Sequence, residues 1–397
     1  MGRRYRKATE FGSLLHAADQ CCNGVRWKDG VIFFEDNICE HVAELYTSLQ
    51  KGTYKLRPYK EFVIREPKTR IVTATQLHDR VVQKSICQNG FTEQISRSFI
   101  YDSGACQKGK GVDFQLNRVK CHLEKYFREN GTNQGWVYLF DLHDFFGSTR
   151  HEVACAADRK RLRDREIANH ACTTINSFKR GTGLGSEESQ LTQLAVLDDM
   201  DHMIKEKLRI KHYFRYQDDF VLIHPDRVYL VQCGKIIRDY LESIGLELNR
   251  KTNLHPLKDG FRFLQWKFDL LPKGKVIMRP ADHKITKERR KLKKQKKLLE
   301  DGKITMAAIR GSYRCWKANI SRGNTHNLLL MMDRLYLSLF GEVAPNVLRK
   351  KKSRYRTRRS RYGIAKRYRA GTAGSAGIHC NDGGCGASDG GSRDGRS

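Results

Sequence analysis

The chain is short of proline, of acidic residues and of long apolar runs. It has 7 prolines in 397 residues, and no apolar stretch approaches the roughly 20 residues that span a bilayer. The N-terminus, Met1-Gly2-Arg3-Arg4-Tyr5-Arg6, leads into no apolar core of the signal type. The 12 cysteines include no CxxC pair, and Cys21-Cys22 are adjacent. Scatter of that kind in a large basic chain reads as a reduced, intracellular protein, here placed in the cytoplasm. His379, Cys380 and Cys385 could ligate zinc, but no fourth partner is near, and unused tail residues are the other reading. There is no internal repeat.

The shortage of acid is the most telling absence. Against 75 Lys and Arg stand 44 Asp and Glu, a net charge of +31. Solubility needs far less, so the partner is a polyanion. With no membrane-spanning run, nucleic acid is favoured over a membrane surface.

Apolar residues recur through residues 1 to about 345, enough for one large domain with appendages or for two or three subdomains. From Arg349 to Tyr362 the composition turns to a basic run with interleaved tyrosines, suited to ordering on a phosphate backbone while the rings stack on bases. A solvated tail is the alternative. After Gly371 the chain is rich in Gly, Ser and Asp, which predicts a flexible terminus.

Within the folded part, Phe62-Val63-Ile64 and Ile71-Val72 predict a hairpin whose tip, Glu66-Pro67-Lys68-Thr69-Arg70, is basic. Asp79 to Gln88 and Ser189 to Met203 have helical spacing. Lys284 to Glu300 predicts a very basic helix, and Ile304 to Phe340 one or two more, with Leu328 to Met332 as packing. The order is an α+β portion followed by a helical one.

Two features carry chemistry. Tyr216-Gln217-Asp218-Asp219 lies between the apolar stretches Tyr213-Phe214-Arg215 and Phe220-Val221-Leu222-Ile223, which predicts strand, tight turn, strand with two carboxylates at the turn. Trp136 to Phe140 is a fully apolar strand that runs into Asp141, where a charge is costly without a compensating partner. Asp141 beside Asp218 and Asp219 predicts three carboxylates converging on one point, the ligand set for in-line nucleotidyl transfer by two metal ions. A helix N-cap is the other reading of Asp141.

These blocks resemble a reverse transcriptase over roughly residues 50 to 345. Asp141-x-x-x-Phe145-Phe146 resembles the first catalytic motif of that family, and Tyr216-Gln217-Asp218-Asp219 its Tyr-x-Asp-Asp box. Glu66 to Ile71 followed by Asp79-Arg80-Val81-Val82-Gln83 is similar to the fingers motifs of bacterial members. Gly245 to Thr252, then Phe263-Leu264-Gln265-Trp266, resembles the closing palm motifs, with Gln265 where Gly is more usual.

The resemblance implies a right hand: an N-terminal segment and fingers at 1–135, a palm at 136–278 with a fingers insertion near 150–185, a helical thumb at 279–345, and a tail at 346–397. It implies two Mg2+ ions, with Mn2+ as a possible substitute, held by Asp141, Leu142, Asp218 and Asp219, with deoxynucleoside triphosphates as substrates. Lys68 and Arg70 would clamp the triphosphate, Arg by a forked contact and Lys as a point charge. Phe146 would exclude a 2′-hydroxyl. Asp144 would hydrogen-bond the sugar or face solvent, and Lys251 would meet the leaving pyrophosphate as proton donor or charge contact, a plain surface lysine being the other reading.

The segment Gly183-Leu184-Gly185-Ser186-Glu187-Glu188-Ser189-Gln190 resembles that of reverse transcriptases from diversity-generating retroelements, which miscopy template adenines during mutagenic retrohoming. Leu184, Gly185 and Gln190 would then border the nascent pair; Leu184 removes a hydrogen-bonding contact and Gly185 lets backbone approach. Gly183 stands where Pro is usual, and Glu187-Glu188 put two negative charges near a polyanion site. Residues 312–317 and 324–328 are similar to the thumb of such enzymes and of group II intron-type relatives. Members work on a structured retroelement RNA and its RNA/cDNA hybrid, usually with a small oligomeric accessory protein. Intron-, retron- and phage-defence-type enzymes, and a non-catalytic RNA-binding protein, are the alternatives.

Overall fold

Alternation along the central strands decides the layering. The computed structural model describes residues 2–65 and 69–347, and of Arg70 the backbone alone. Lys68, the basic run from Arg349, and His379, Cys380 and Cys385 lie outside the described residues. The described strands form three antiparallel sheets. β1 (Lys60–Ile64) and β2 (Arg70–Ala74) make a hairpin. β3 (Trp136–Asp141), β4 (His212–Tyr216), β5 (Asp219–His224) and β6 (Asn253–Pro256) make a four-stranded sheet in the order β4-β5-β3-β6. β7 (Phe261–Phe263), β8 (Trp266–Leu270) and β9 (Val276–Pro280) make the third, so the last strand runs two residues past position 278.

Successive side chains of a strand face opposite ways. Phe140, Tyr213, Phe220 and Leu222 face one core, closed by Leu230, Cys233, Ile237 and Leu241 of the helix Arg227–Ser243. Val137, Phe214, Val221 and Ile223 face another, closed by the helix Val112–Asn130 and by Phe261, Phe263, Trp266 and Phe268 of the third sheet. The four-stranded sheet is therefore buried on both faces, which explains why β3 and β5 read as near-continuous apolar runs.

The first fifty residues fold as four helices, Arg3–Ala8, Phe11–Cys22, Asp29–Asp36 and Ile38–Gln50, which the sequence reading left unassigned. Leu14, Ala17, Ala18 and Cys22 line one face of the second, and Val42, Leu45 and Leu49 one face of the fourth, at helical spacing. Both faces join a core with Val81, Val82 and Ile86 of the helix Leu77–Ile86, and with Leu191 and Leu194.

Several predicted elements differ in extent. The helix expected from Ser189 to Met203 is Glu187–Val196 followed by the short Asp198–His202, broken at Leu197. Among the described residues the C-terminal part holds three helices, Asp282–Glu300, Met306–Ile320 and His326–Phe340, around Leu292, Ile309, Tyr313, Met332 and Tyr336. Of the expected packing stretch Leu328 to Met332, Met332 is buried while Leu330 and Met331 are exposed. The helix Asp282–Glu300 buries Glu288, Leu292 and Gln295 and leaves both arginines and five of its seven lysines exposed. Among the described residues no helix is long and apolar enough to cross a membrane.

Candidate functional site

The register of the four-stranded sheet builds the site. β3 and β5 pair with Phe140 opposite Phe220 and Asp141 opposite Asp219. Alternation places the two aspartates on the Val137–Val221 face, at the open end of the strands. β4 and β5 pair Tyr216 with Asp219, so Gln217 and Asp218 form a two-residue hairpin turn. Gln217 has φ +55°, the left-handed backbone that tight hairpin turns require, which accounts for its position in the box.

Asp141 and Asp219 are half-buried, and their carboxyl groups hydrogen-bond each other. Burial, then the charges of Asp218 and Asp141, push the Asp219 carboxyl up to about 7, with Lys251 opposing. Asp218 acts on Asp219 through its charge. Among the described residues, ligand atoms of three side chains lie within 4.8 Å of one another at His41, Glu44 and His78. The donor set of the three aspartates, carboxyl oxygens from paired strand positions and from the adjoining turn, suits a hard divalent ion.

Leu142 and Lys251 reach the site by strand extension. His143 N donates to Glu247 O at 2.8 Å and Asn249 N to Asp141 O at 2.7 Å, with Leu142 opposite Leu248. In that pattern the peptide groups of Leu142 point away from Leu248, toward the side of β5 and the Gln217–Asp218 turn. Its side chain is buried, so a carbonyl is what Leu142 can offer there. The same extension delivers the exposed Lys251 close enough to act on Asp219.

Asp144 opens the one-turn helix Phe145–Ser148 with φ +42°, and it faces solvent, where it pairs with the exposed Arg180 at 3.1 Å. Phe146 is half-buried, edge-on to Phe145 at 5.8 Å between ring centres. Its carbonyl accepts from Thr182 N at 3.0 Å, which ties the segment from Gly183 onward to the Asp141 motif.

Gly183 stands where the resembled sequences usually have Pro, for a steric reason. Gly183 has φ +70°, and a Cβ there would stand 2.5 Å from the Phe178 ring. Proline is fixed near −65° and cannot take this position. At Gly185 a Cβ would come within 3.0 Å of Thr73 O, so this glycine lets the loop approach β2 of the hairpin. Leu184 is half-buried between them. Ser186 caps the helix Glu187–Val196 by accepting from Ser189 N at 3.0 Å.

The two expected negative charges do not both face a polyanion. Glu187 pairs with Lys84 at 2.6 Å. Glu188 is 1% exposed, and burial, then the Asp158 charge, pushes its carboxyl up to about 8. Asp158 is fully buried and raised likewise to about 8 while accepting from Thr192 Oγ1 at 2.9 Å.

Gln190 is half-buried and joins the turn through a residue that sequence reasoning missed. Gln217 Nε2 donates to Cys106 Sγ at 3.0 Å, and Cys106 Sγ donates to Gln190 Oε1 at 3.1 Å. Nothing in the sequence marks Cys106. Arg215, also missed, did leave a signal: a charge inside a strand of otherwise buried residues. It was grouped with the apolar stretch, yet it is fully buried and paired with Asp201.

His41, Glu44 and His78 make no comparable site. Arg57 Nη1 lies 2.9 Å from His78 Nδ1 and can only donate, so the proton is on His78 Nε2, which points at His41 Nδ1 at 3.4 Å.

No family model and no curated protein matches the chain. Among solved structures it is similar to apo telomerase from Candida tropicalis truncated from its C-terminal domain, at 13% identity, 56% of each chain and a TM-score of 0.43. It is also similar to telomerase from Candida albicans in complex with a TWJ fragment of telomeric RNA, at 10% identity, 75% of this chain, 65% of that one and a TM-score of 0.46. The chain thus spans 56% and 65% of the length of these two structures.

Proposed function

We propose that the chain is an RNA-templated DNA polymerase. The carrying observation is the register that sets Asp141 directly opposite Asp219, with Asp218 on the adjoining two-residue turn. Asp141, Asp218, Asp219 and the Leu142 carbonyl would hold two Mg2+ ions, which when bound activate a primer 3′-hydroxyl and offset the charge of a triphosphate.

The chain's own residues supply the rest. Phe146, five residues after Asp141 and edge-on to Phe145, would exclude a 2′-hydroxyl with its ring. Lys251 brings positive charge to the carboxylates and suits a leaving pyrophosphate. Arg70, which opens β2 of the hairpin that Gly185 approaches, would clamp the triphosphate together with Lys68. In this reading residues 1–135 act as fingers, the sheets from 136 to about 280 as palm and the three C-terminal helices as thumb, whose outward lysines follow an RNA/DNA hybrid.

The finer reading is an enzyme of a diversity-generating retroelement, copying a structured template RNA with errors at adenines and working with a small accessory protein. Its support is the segment from Gly183 to Gln190, in which apolar Leu184 sits between Gly183, sterically required, and Gly185, tightly set against β2. Primer extension on an RNA template with deoxynucleotides and Mg2+ tests the activity, and sequencing the product tests the subtype. Misincorporation concentrated at template adenines, reduced in Leu184→Gln, supports it. Uniform errors reject the subtype, and no DNA product from protein supplied with its RNA rejects the activity.

A further inference from the structure

Arg215 sits one residue before the Tyr216–Asp219 box, on β4, and its side chain is fully buried. Four of its five N–H groups are accounted for. Nε donates to Asp201 Oδ1 at 2.8 Å, and Nη2 donates to Asp201 Oδ2. Nη1 donates to Gln217 O at 3.1 Å, and Nη2 also to Leu194 O at 3.3 Å.

The two carbonyls matter more than the ion pair. Gln217 O belongs to the peptide group that joins Gln217 to Asp218. Fixing it fixes the plane from which the Asp218 side chain departs, in a turn that already requires φ +55° at Gln217. Leu194 O lies in the last turn of the helix Glu187–Val196, where carbonyls lack intrahelical partners and favour a cation. That helix carries Gln190 and begins just after Leu184 and Gly185. One guanidinium therefore spans the turn of the carboxylates and the helix of the candidate nucleotide side. Stability alone does not call for this arrangement, because a buried ion pair is often no more stable than an apolar replacement.

We infer that Arg215, held by Asp201, is a positioning residue that sets the Gln217–Asp218 peptide for metal binding and couples it to the helix Glu187–Val196. The inference rests on the proposed metal site, and it does not require Arg215 to touch substrate or metal.

The test removes the whole polar group at once. Tyr213 OH also donates to Asp201, so the triple variant Tyr213→Phe/Asp201→Leu/Arg215→Met leaves no charge or hydroxyl of the cluster buried alone. Circular dichroism and melting should show a folded protein. Mn2+ affinity, read by electron paramagnetic resonance, should fall about 10-fold or more, and the single-turnover extension rate about 100-fold, with primer–template affinity unchanged. A folded triple variant with wild-type Mn2+ affinity and rate overturns the inference. Should it not fold, Arg215→Lys keeps the charge for Asp201 but loses the fork that reaches both carbonyls. It should show the same losses near the wild-type melting temperature, and wild-type values overturn the inference. Wild-type protein that binds Mn2+ but makes no DNA rejects the proposed activity and leaves this inference to the Mn2+ readout. Wild-type protein that binds no Mn2+ rejects both.

Discussion

Asp141 and Asp219 occupy paired positions on adjacent antiparallel strands, and their carboxyl groups hydrogen-bond each other. The arrangement is unfavourable for two carboxylates alone. Burial and like charge hold Asp219 protonated to about pH 7. Its folded value lies above the ordinary 3.8, so its contribution to stability is fully present below about pH 4 and is lost as pH rises through 7. Asp219→Asn should therefore raise stability without metal at pH 8 by on the order of 1–3 kcal/mol. Thermal melting with and without Mn2+ checks this: Mn2+ should stabilise wild type and leave the variant nearly unmoved.

A second pH effect comes from the buried pair Asp158 and Glu188, whose carboxyls are both raised to about 8. Each favours folding in its neutral form, so stability falls from about pH 5 to about pH 8 and levels off above. The double variant Asp158→Asn/Glu188→Gln should flatten that profile and melt several degrees above wild type at pH 8.5. Denaturation followed across pH measures it, and an unchanged slope contradicts the assignment.

Gly183→Pro restores the residue more usual in the resembled family and should still be harmful. Its φ of +70° is closed to proline, so a loss of about 3 kcal/mol is expected. Gly183→Ala, which also meets the Phe178 ring, should cost about 1–3 kcal/mol. Chemical denaturation of both variants gives the comparison.

Phe146→Ala opens space beside the Asp141 motif. Discrimination between deoxynucleotides and ribonucleotides should fall about 10- to 100-fold, while the melting temperature drops by a few degrees because the ring is half-buried. Extension rates with each nucleotide type test this, and unaltered selectivity assigns Phe146 to packing alone.

How much was legible follows from range. The apolar run ending at Asp141 and the turn at Gln217-Asp218 are local patterns, and each appears where the sequence places it. Their pairing in register is not local, but alternation with one charge at each strand end favours it. The four N-terminal helices were left unassigned although Leu14, Ala17, Ala18 and Cys22 carry a clear helical period. Glu188 was misread because adjacent charged residues look alike in sequence, yet a helix turns one outward and one inward. Arg215 and Cys106 were missed because their roles depend on Leu194, Asp201 and Gln190, which only the folded chain brings near.

Single-turnover primer extension on an RNA template with Mg2+, comparing wild type with Asp141→Asn, Asp218→Asn and Asp219→Asn, tests the site most directly. Each substitution should lower the rate about 1,000-fold or more without lowering the melting temperature. A variant that extends at the wild-type rate contradicts the assignment of that carboxylate, and three such variants contradict the polymerase site as a whole.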